Sequence, residues 1–202
     1  MPCGVWSFFD LLAAVRGILL EKGMIVKALV FDGKLELREM SLPTTGEKDA
    51  LIRVTLGGVC MTDLEIVKGY MNFKGVLGHE FVGVVERSAN PQLLGKRVVG
   101  EINVGCGHCE FCLKGLERHC YNRTCLGIFM RDGAFSEYIT LPEANLHVVP
   151  EHVSDEAAVF VEPLAAALEI LEQIHVEPAT QTLIIGDGRL GATVAQFPGK
   201  MG

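Results

Sequence analysis

Four cysteines in the stretch CGHCEFCLKGLERHC, Cys106, Cys109, Cys112 and Cys120, stand three, three and eight residues apart. Two successive Cys-x-x-Cys steps let backbone turns aim three thiolates at one point, and the longer loop returns the fourth to close a tetrahedron around Zn²⁺. Such a shell leaves no position for water, so the metal there is structural and holds together a lobe with little apolar core of its own. S₄ geometry by itself also admits an iron–sulfur cluster. His108 and His119 lie inside the loop, but four thiolates already suffice, and both read as surface residues. Upstream, GGVCMTD and GVLGHEFVG carry Cys60 and His79, donors suited to zinc, with Asp63 three residues after the cysteine and Glu80 beside the histidine. Taken alone, such a pair also fits a core or surface histidine and an unrelated thiol.

A third constellation stands near the carboxyl end. In TLIIGDGRLGATVAQ, Gly186, Gly188 and Gly191 form G-x-G-x-x-G between an apolar run and a helical pattern, the context of a dinucleotide-binding turn. Glycines there permit a tight turn and let a pyrophosphate approach the helix start, and Arg189 offers a further phosphate contact. A complete Rossmann unit needs further parallel strands and a residue about 20 positions on that selects NAD or NADP. Only eleven residues follow Gly191, and FPGKMG reads as a substitute ending in which Pro198 and Gly199 stop the helix. The expectation is cofactor ancestry with binding in doubt for the chain by itself.

These residues need a scaffold. From Met24 onward the runs KALVFDG, KLELREM, DALIRVTLGG, FVGVVER, KRVVGEI, AFSEYITLP and NLHVVP are short, β-rich and punctuated by Gly, Pro, Asn and Asp. That spacing predicts an antiparallel barrel or sandwich over 24–150 and excludes βαβ alternation there. The period then changes: SDEAAVFVEPLAAALEILEQIH has Ser154 as N-cap and predicts two helices meeting near Pro163. Within 151–202, linker helices thus lead to a predicted buried strand, TLIIGDG, and the start of a helix. The fold class expected is α+β passing into α/β.

Composition narrows the partners. The chain has 202 residues, 49% hydrophobic and 21% charged, which suits a globular domain plus a further piece. A formal net charge of −7 gives no basic footprint, so nucleic acid is excluded and small molecules are favoured. Thiolate ligands call for a reducing compartment, and the chain reads as cytoplasmic. Residues 1–23 carry an apolar stripe interrupted by Asp10 and Arg16, too short to span a bilayer. They read as an amino-terminal extension, with a docking helix or organelle targeting as alternatives and Met24 as an internal start.

The ordered set, Cys-x-Thr-Asp at Cys60 to Asp63, then Gly-His-Glu-x-x-Gly at Gly78 to Gly83, then the four-cysteine run, resembles the zinc-dependent medium-chain dehydrogenase/reductase family. This group includes alcohol, sorbitol and threonine dehydrogenases, and the resemblance covers Met24 to about Gln196. It implies a GroES-like β-barrel catalytic domain followed by a Rossmann domain, one catalytic and one structural zinc, NAD or NADP, and hydride exchange with an alcohol or polyol. It makes Cys60 and His79 catalytic-zinc ligands. The sequence VEPLAAAL makes Glu162 the third, directly or through water, with Glu80 as an alternate. Asp63 is expected to orient His79, and Thr62 to pass the alcohol proton.

The chain departs from the family in two places. Leu64 and Glu65 occupy the stretch where alcohol dehydrogenases often carry a relay histidine, which leaves Glu65 as proton acceptor or plain surface carboxylate. VVERSANPQLLGKRVV lacks the usual further glycine and aspartate, a local loop change. The resemblance also admits a homo-oligomer. A second expectation is a non-catalytic, truncated zinc-binding form that works through a full-length subunit. NAD versus NADP and the substrate stay open at this point.

Overall fold

The structure is a computed structural model that describes residues 23–177 and 179–196. The amino-terminal extension and the FPGKMG ending lie outside the described residues. Strands β1 (Ile25–Phe31) and β2 (Leu35–Ser41) form an antiparallel hairpin whose free edge takes β4 (Gly75–Val76). A five-stranded sheet runs in the order β10-β3-β5-β6-β11, with β3 at Asp49–Gly58, β5 at Glu80–Arg87, β6 at Arg97–Gly100, β10 at Tyr138–Pro142 and β11 at Leu146–Val148. A third sheet joins β7 (Asn103–Val104), β8 (Thr124–Leu126) and β9 (Met130–Arg131).

Alternation explains most of β1, where Val26 and Ala28 are buried between exposed or half-exposed neighbours and Val30 continues the same face, with Phe31 also buried at the strand's end. β5 is different: it lies between β3 and β6, and Phe81, Val82 and Val85 are buried on both faces. Gly83 stands in β5 where a Cβ would press on the Ile52 side chain and the Arg53 carbonyl. The main core gathers Ala50, Ile52, Phe81, Val85, Val98, Ile139 and Leu141 between the five-stranded sheet and the lobe that carries Val104 and Leu126.

The β-rich expectation over 24–150 holds in these strands, with two differences. Among the described residues the ladders close no continuous barrel. Instead, segment 133–137 laces the first sheet to the second: Leu29 N–H donates to the Phe135 carbonyl, Glu137 N–H to that of Lys27, and Val54 N–H to that of Glu137. β8 and β9 are also parallel, although the surrounding strands are antiparallel.

Past β11, Ser154 caps α3 (Asp155–Ala158; α1 and α2 belong to the sites below), its side chain accepting from the Ala157 N–H. Asp155 fastens this turn to the sheet through Arg97 at 2.6 Å and the Thr55 hydroxyl at 2.9 Å. The break between helices falls at Val159–Phe160, so Pro163 sits in the first turn of α4 (Val161–Gln173), where its missing N–H leaves no bond unmade.

One expectation is corrected. Thr182–Gly186 joins no ladder, and Leu183 and Ile185 are 83% and 92% exposed. A parallel strand is normally stabilised by neighbours and by cover on both faces, and the described residues offer neither. Only the helical half of the β–α unit forms, as α5 (Arg189–Val194), which packs on α4. Among the described residues no helix is long and apolar enough to cross a membrane.

Candidate metal centre and glycine loop

Where β3 runs out, a seven-residue helix, α1 (Met61–Val67), starts with site residues as its own cap. Cys60 is the N-cap, with extended backbone at φ −94° and ψ 158°. Three residues on, Asp63 turns back, and its Oδ2 accepts from the Cys60 N–H at 2.8 Å, satisfying a donor that a helix start leaves orphaned. Its Oδ1 accepts from the Gly78 N–H at 3.3 Å and lies 3.3 Å from His79 Nδ1. One carboxylate, 2% exposed, thus ties the cysteine turn to the histidine turn. Ile66, fully buried among Phe31, Phe73 and Leu77, anchors the same helix.

His79 is set at the mouth of β5 by backbone that only glycine adopts readily. Gly78 has φ +94°, and a Cβ there would meet the Phe135 ring. Glu80 needs a second glycine: a Cβ on Gly58 would collide with the Glu80 carboxylate and its Cβ. Between these two seats, a Cys60 Sγ, a His79 ring nitrogen and a Glu80 carboxylate oxygen lie within 4.8 Å of one another.

One buried atom argues that this group is built for a cation. Glu80 Oε1 has no hydrogen-bond partner, whereas His79 Nδ1 faces the Asp63 carboxylate at 3.3 Å and leaves the other ring nitrogen for a metal. Leaving a buried polar group unsatisfied costs roughly 1–3 kcal/mol. Thiolate, imidazole and carboxylate are the donor types that zinc accepts, so the residues fit that metal.

Electrostatics agree with geometry. Burial opposes charge on His79, yet its contacts with Asp63 and Cys60 outweigh burial and bring its pKa up to about 10. The His79 contact in turn draws the Cys60 thiol below its ordinary value. Without metal the ring therefore leans toward imidazolium, and metal binding must expel the imidazole proton.

The other candidates fall into place unequally. Thr62 Oγ1 lies 3.6 Å from Cys60 Sγ, on the first turn of α1. Glu162 is half-buried in the first turn of α4, outside the compact trio; burial raises its pKa, and the nearby His79 charge works against that rise. Glu65 is not brought to the site: it is exposed on α1 and paired with Lys68 at 2.8 Å. The glycine loop does form a tight turn, because a Cβ on Gly191 would collide with the Gly186 carbonyl. Gly186 has φ +116°, and Gly188 caps α5 with extended backbone. Arg189 reaches inward to Glu80 Oε2 at 3.7 Å. Neither that contact nor the Gly58 seat is foreseen by the sequence reading, although Gly58 stands in the quoted GGVC run.

The second cluster is closed. Cys106, Cys109, Cys112 and Cys120 place their Sγ atoms within 4.8 Å of one another, with none in a disulfide. Cys109 caps α2 (Glu110–Leu113), which carries Cys112 inward; Cys120 Sγ accepts from the Cys106 N–H at 3.3 Å. Gly105 leaves room for the Cys112 sulfur, against which a Cβ would press. The backbone N–H of His108 lowers the Cys106 thiol to about 6, whereas burial pushes Cys112 up to about 12. His108 and His119 are exposed. Cys125, a buried thiol outside both clusters, is raised by burial to about 11.

Residues 46–151 match the alcohol dehydrogenase GroES-like domain family. Among curated relatives, L-threonine 3-dehydrogenase of Chelativorans sp. is 35% identical, covering 87% of this chain and 54% of the relative. D-arabitol-phosphate dehydrogenase of Enterococcus avium is 33% identical over 90% of this chain and 53% of its own length. A solved alcohol dehydrogenase of Escherichia coli CFT073, RspB, complexed with NADH, superposes with a TM-score of 0.80 at 31% identity, covering 86% of this chain and 53% of that one. The chain spans about half the length of the curated relatives it matches.

Proposed function

Because this chain belongs to the medium-chain dehydrogenase/reductase family, through its alcohol dehydrogenase GroES-like domain, we propose that it supplies the metal-holding part of a zinc-dependent oxidoreductase. The reaction is transfer of hydride between an alcohol or polyol and NAD or NADP. The observation that carries this reading is the compact trio of half-buried Cys60 with buried His79 and Glu80, in which Glu80 Oε1 is left without a partner.

Each residue has a chemical task. Cys60 and His79 hold zinc, and Glu80 or Glu162 completes the protein ligands. Bound zinc supplies Lewis acidity toward the substrate oxygen. Asp63 keeps the His79 ring turned toward the trio by facing Nδ1, and hydrogen-bonds both turns to itself. Thr62 carries a hydroxyl able both to accept the alcohol proton and to donate it onward. The thiolates Cys106, Cys109, Cys112 and Cys120 hold the structural zinc. The solved relative bound to NADH supports a nicotinamide partner, with the choice between NAD and NADP to be measured.

The test is alcohol-dependent reduction of NAD⁺ and NADP⁺ across threonine, polyols, polyol phosphates and simple alcohols. Activity that is lost on chelation and restored by zinc supports the reading; activity indifferent to chelation contradicts it. A second reading, a zinc-holding chain that turns over only beside a full-length subunit, rests on the exposed, unpaired Leu183 and Ile185. Equilibrium dialysis separates the two: tight nicotinamide binding by the isolated chain sinks the second, and zinc without dinucleotide supports it.

A further inference from the structure

Two motifs that are independent in sequence meet at one ion pair. Arg189 belongs to the glycine loop, and Glu80 to the metal trio, 109 residues earlier. Arg189 Nη1 lies 3.7 Å from Glu80 Oε2, with the arginine side chain 50% exposed and the carboxylate 3% exposed. The arginine is anchored from behind: its carbonyl accepts the Thr193 hydroxyl at 2.8 Å, and Ala192 N–H donates to the Gly188 carbonyl at 2.9 Å. A buried carboxylate is costly unless paired, and here the cation reaches it from the solvent side. The other carboxylate oxygen, Oε1, is buried and unpartnered.

We propose that Arg189 is a positioning residue for Glu80: the guanidinium holds one carboxylate oxygen and thereby restrains how fully Glu80 can ligate the metal held by Cys60 and His79. Arginine is also well matched to phosphate, and this one stands on the loop that the sequence assigns to a dinucleotide. Cofactor and Glu80 therefore compete for the same guanidinium, and a bound dinucleotide frees Glu80 toward the metal.

The inference rests on the metal reading above, so the experiment is arranged to separate the two. Cobalt is loaded into the full chain, and its release to an excess of chelator is followed by the visible absorption that Cys60→Ser removes. Arg189→Ala is expected to slow release about tenfold, because a repelling cation leaves and Glu80 is freed; a merely structural role for Arg189 would speed release instead. Arg189→Lys should stay near the wild-type rate. In a Glu80→Gln background the effect of Arg189→Ala should shrink below about threefold. Millimolar NADH should slow release from the wild type and leave Arg189→Ala unmoved. Release from Arg189→Ala at or above the wild-type rate, or an undiminished effect in Glu80→Gln, overturns the positioning role. A wild-type rate that NADH does not move overturns the competition. Absence of any Cys60-dependent cobalt band overturns the metal reading together with this inference.

Discussion

The two metal-ligand clusters solve opposite problems with similar atoms. At Cys106 to Cys120 the donors come from one loop, all are cysteine sulfurs, and the four lie within a single tight group. At the open centre they come from the end of β3 and the start of β5, and they mix sulfur, nitrogen and oxygen. The first geometry is set by local turns and leaves no position for a substrate. The second depends on how β3 and β5 end, on two glycines that make room, and on a buried carboxylate that joins its halves. A locally closed site can hold a lobe together; a site assembled across sheets can be open on one side.

The largest expected effect that tests this contrast is loss of the closed cluster. Cys112→Ser removes one of four sulfur donors, and a structural zinc held by such a set would supply an apparent ~10–16 kcal/mol to its lobe. The variant should bind one zinc fewer and be cut by protease between residues 105 and 123, while still binding metal at Cys60. A protease pattern identical to wild type would show that the lobe folds without its metal.

Asp63→Asn acts on the open centre alone. Partners of metal ligands are typically worth 10–100-fold in affinity, so zinc held by Cys60 and His79 should weaken by ~1.4–2.7 kcal/mol in a competition titration. The four-thiolate zinc should not respond. Equal weakening at both clusters would mean that Asp63 supports the fold in general and not His79.

A pH series separates metal-free from loaded protein. The His79 pKa is raised from 6.5 to about 10 in the metal-free fold, so the protonated ring stabilises that fold. The contribution is full below the unfolded value near 6.5 and is lost as pH rises toward 10. Thermal midpoints in chelator should therefore fall across that window, while affinity for zinc at this centre rises with pH as the competing proton leaves. His79→Gln should flatten both trends. The smallest effect is expected at Ser154→Ala, about 1 kcal/mol from the lost cap, measurable by urea denaturation. That turn is fastened to Arg97 and Thr55 through Asp155 and supplies no metal donor, so neither metal's affinity should change.

Legibility in the sequence followed the same division. The four-cysteine spacing named its cluster directly, because neighbours in sequence are neighbours in space there. The run Asp49–Gly58 was equally plain, since its residues and the observed β3 coincide. The trio was visible only as separate motifs; that Glu80 joins Cys60 while Glu162 stands outside depends on the Gly58 seat and on how α4 docks. The Arg189 contact was hidden for the same reason, as no local pattern relates positions 80 and 189. Strands β4, β7 and β9, two residues each, are too short to show a period. Thr182–Gly186 shows the converse: an apolar run with strand composition forms no strand without neighbours to pair with.

If the open centre keeps an exchangeable position for an alcohol oxygen and the closed one does not, a metal at the two must respond differently to alcohol. The most direct measurement is the visible spectrum of the cobalt-loaded chain during titration with a substrate alcohol. Bands dependent on Cys60 should shift saturably while the four-cysteine bands stay fixed. Movement of the four-cysteine bands, or saturable movement that survives Cys60→Ser, would contradict that difference.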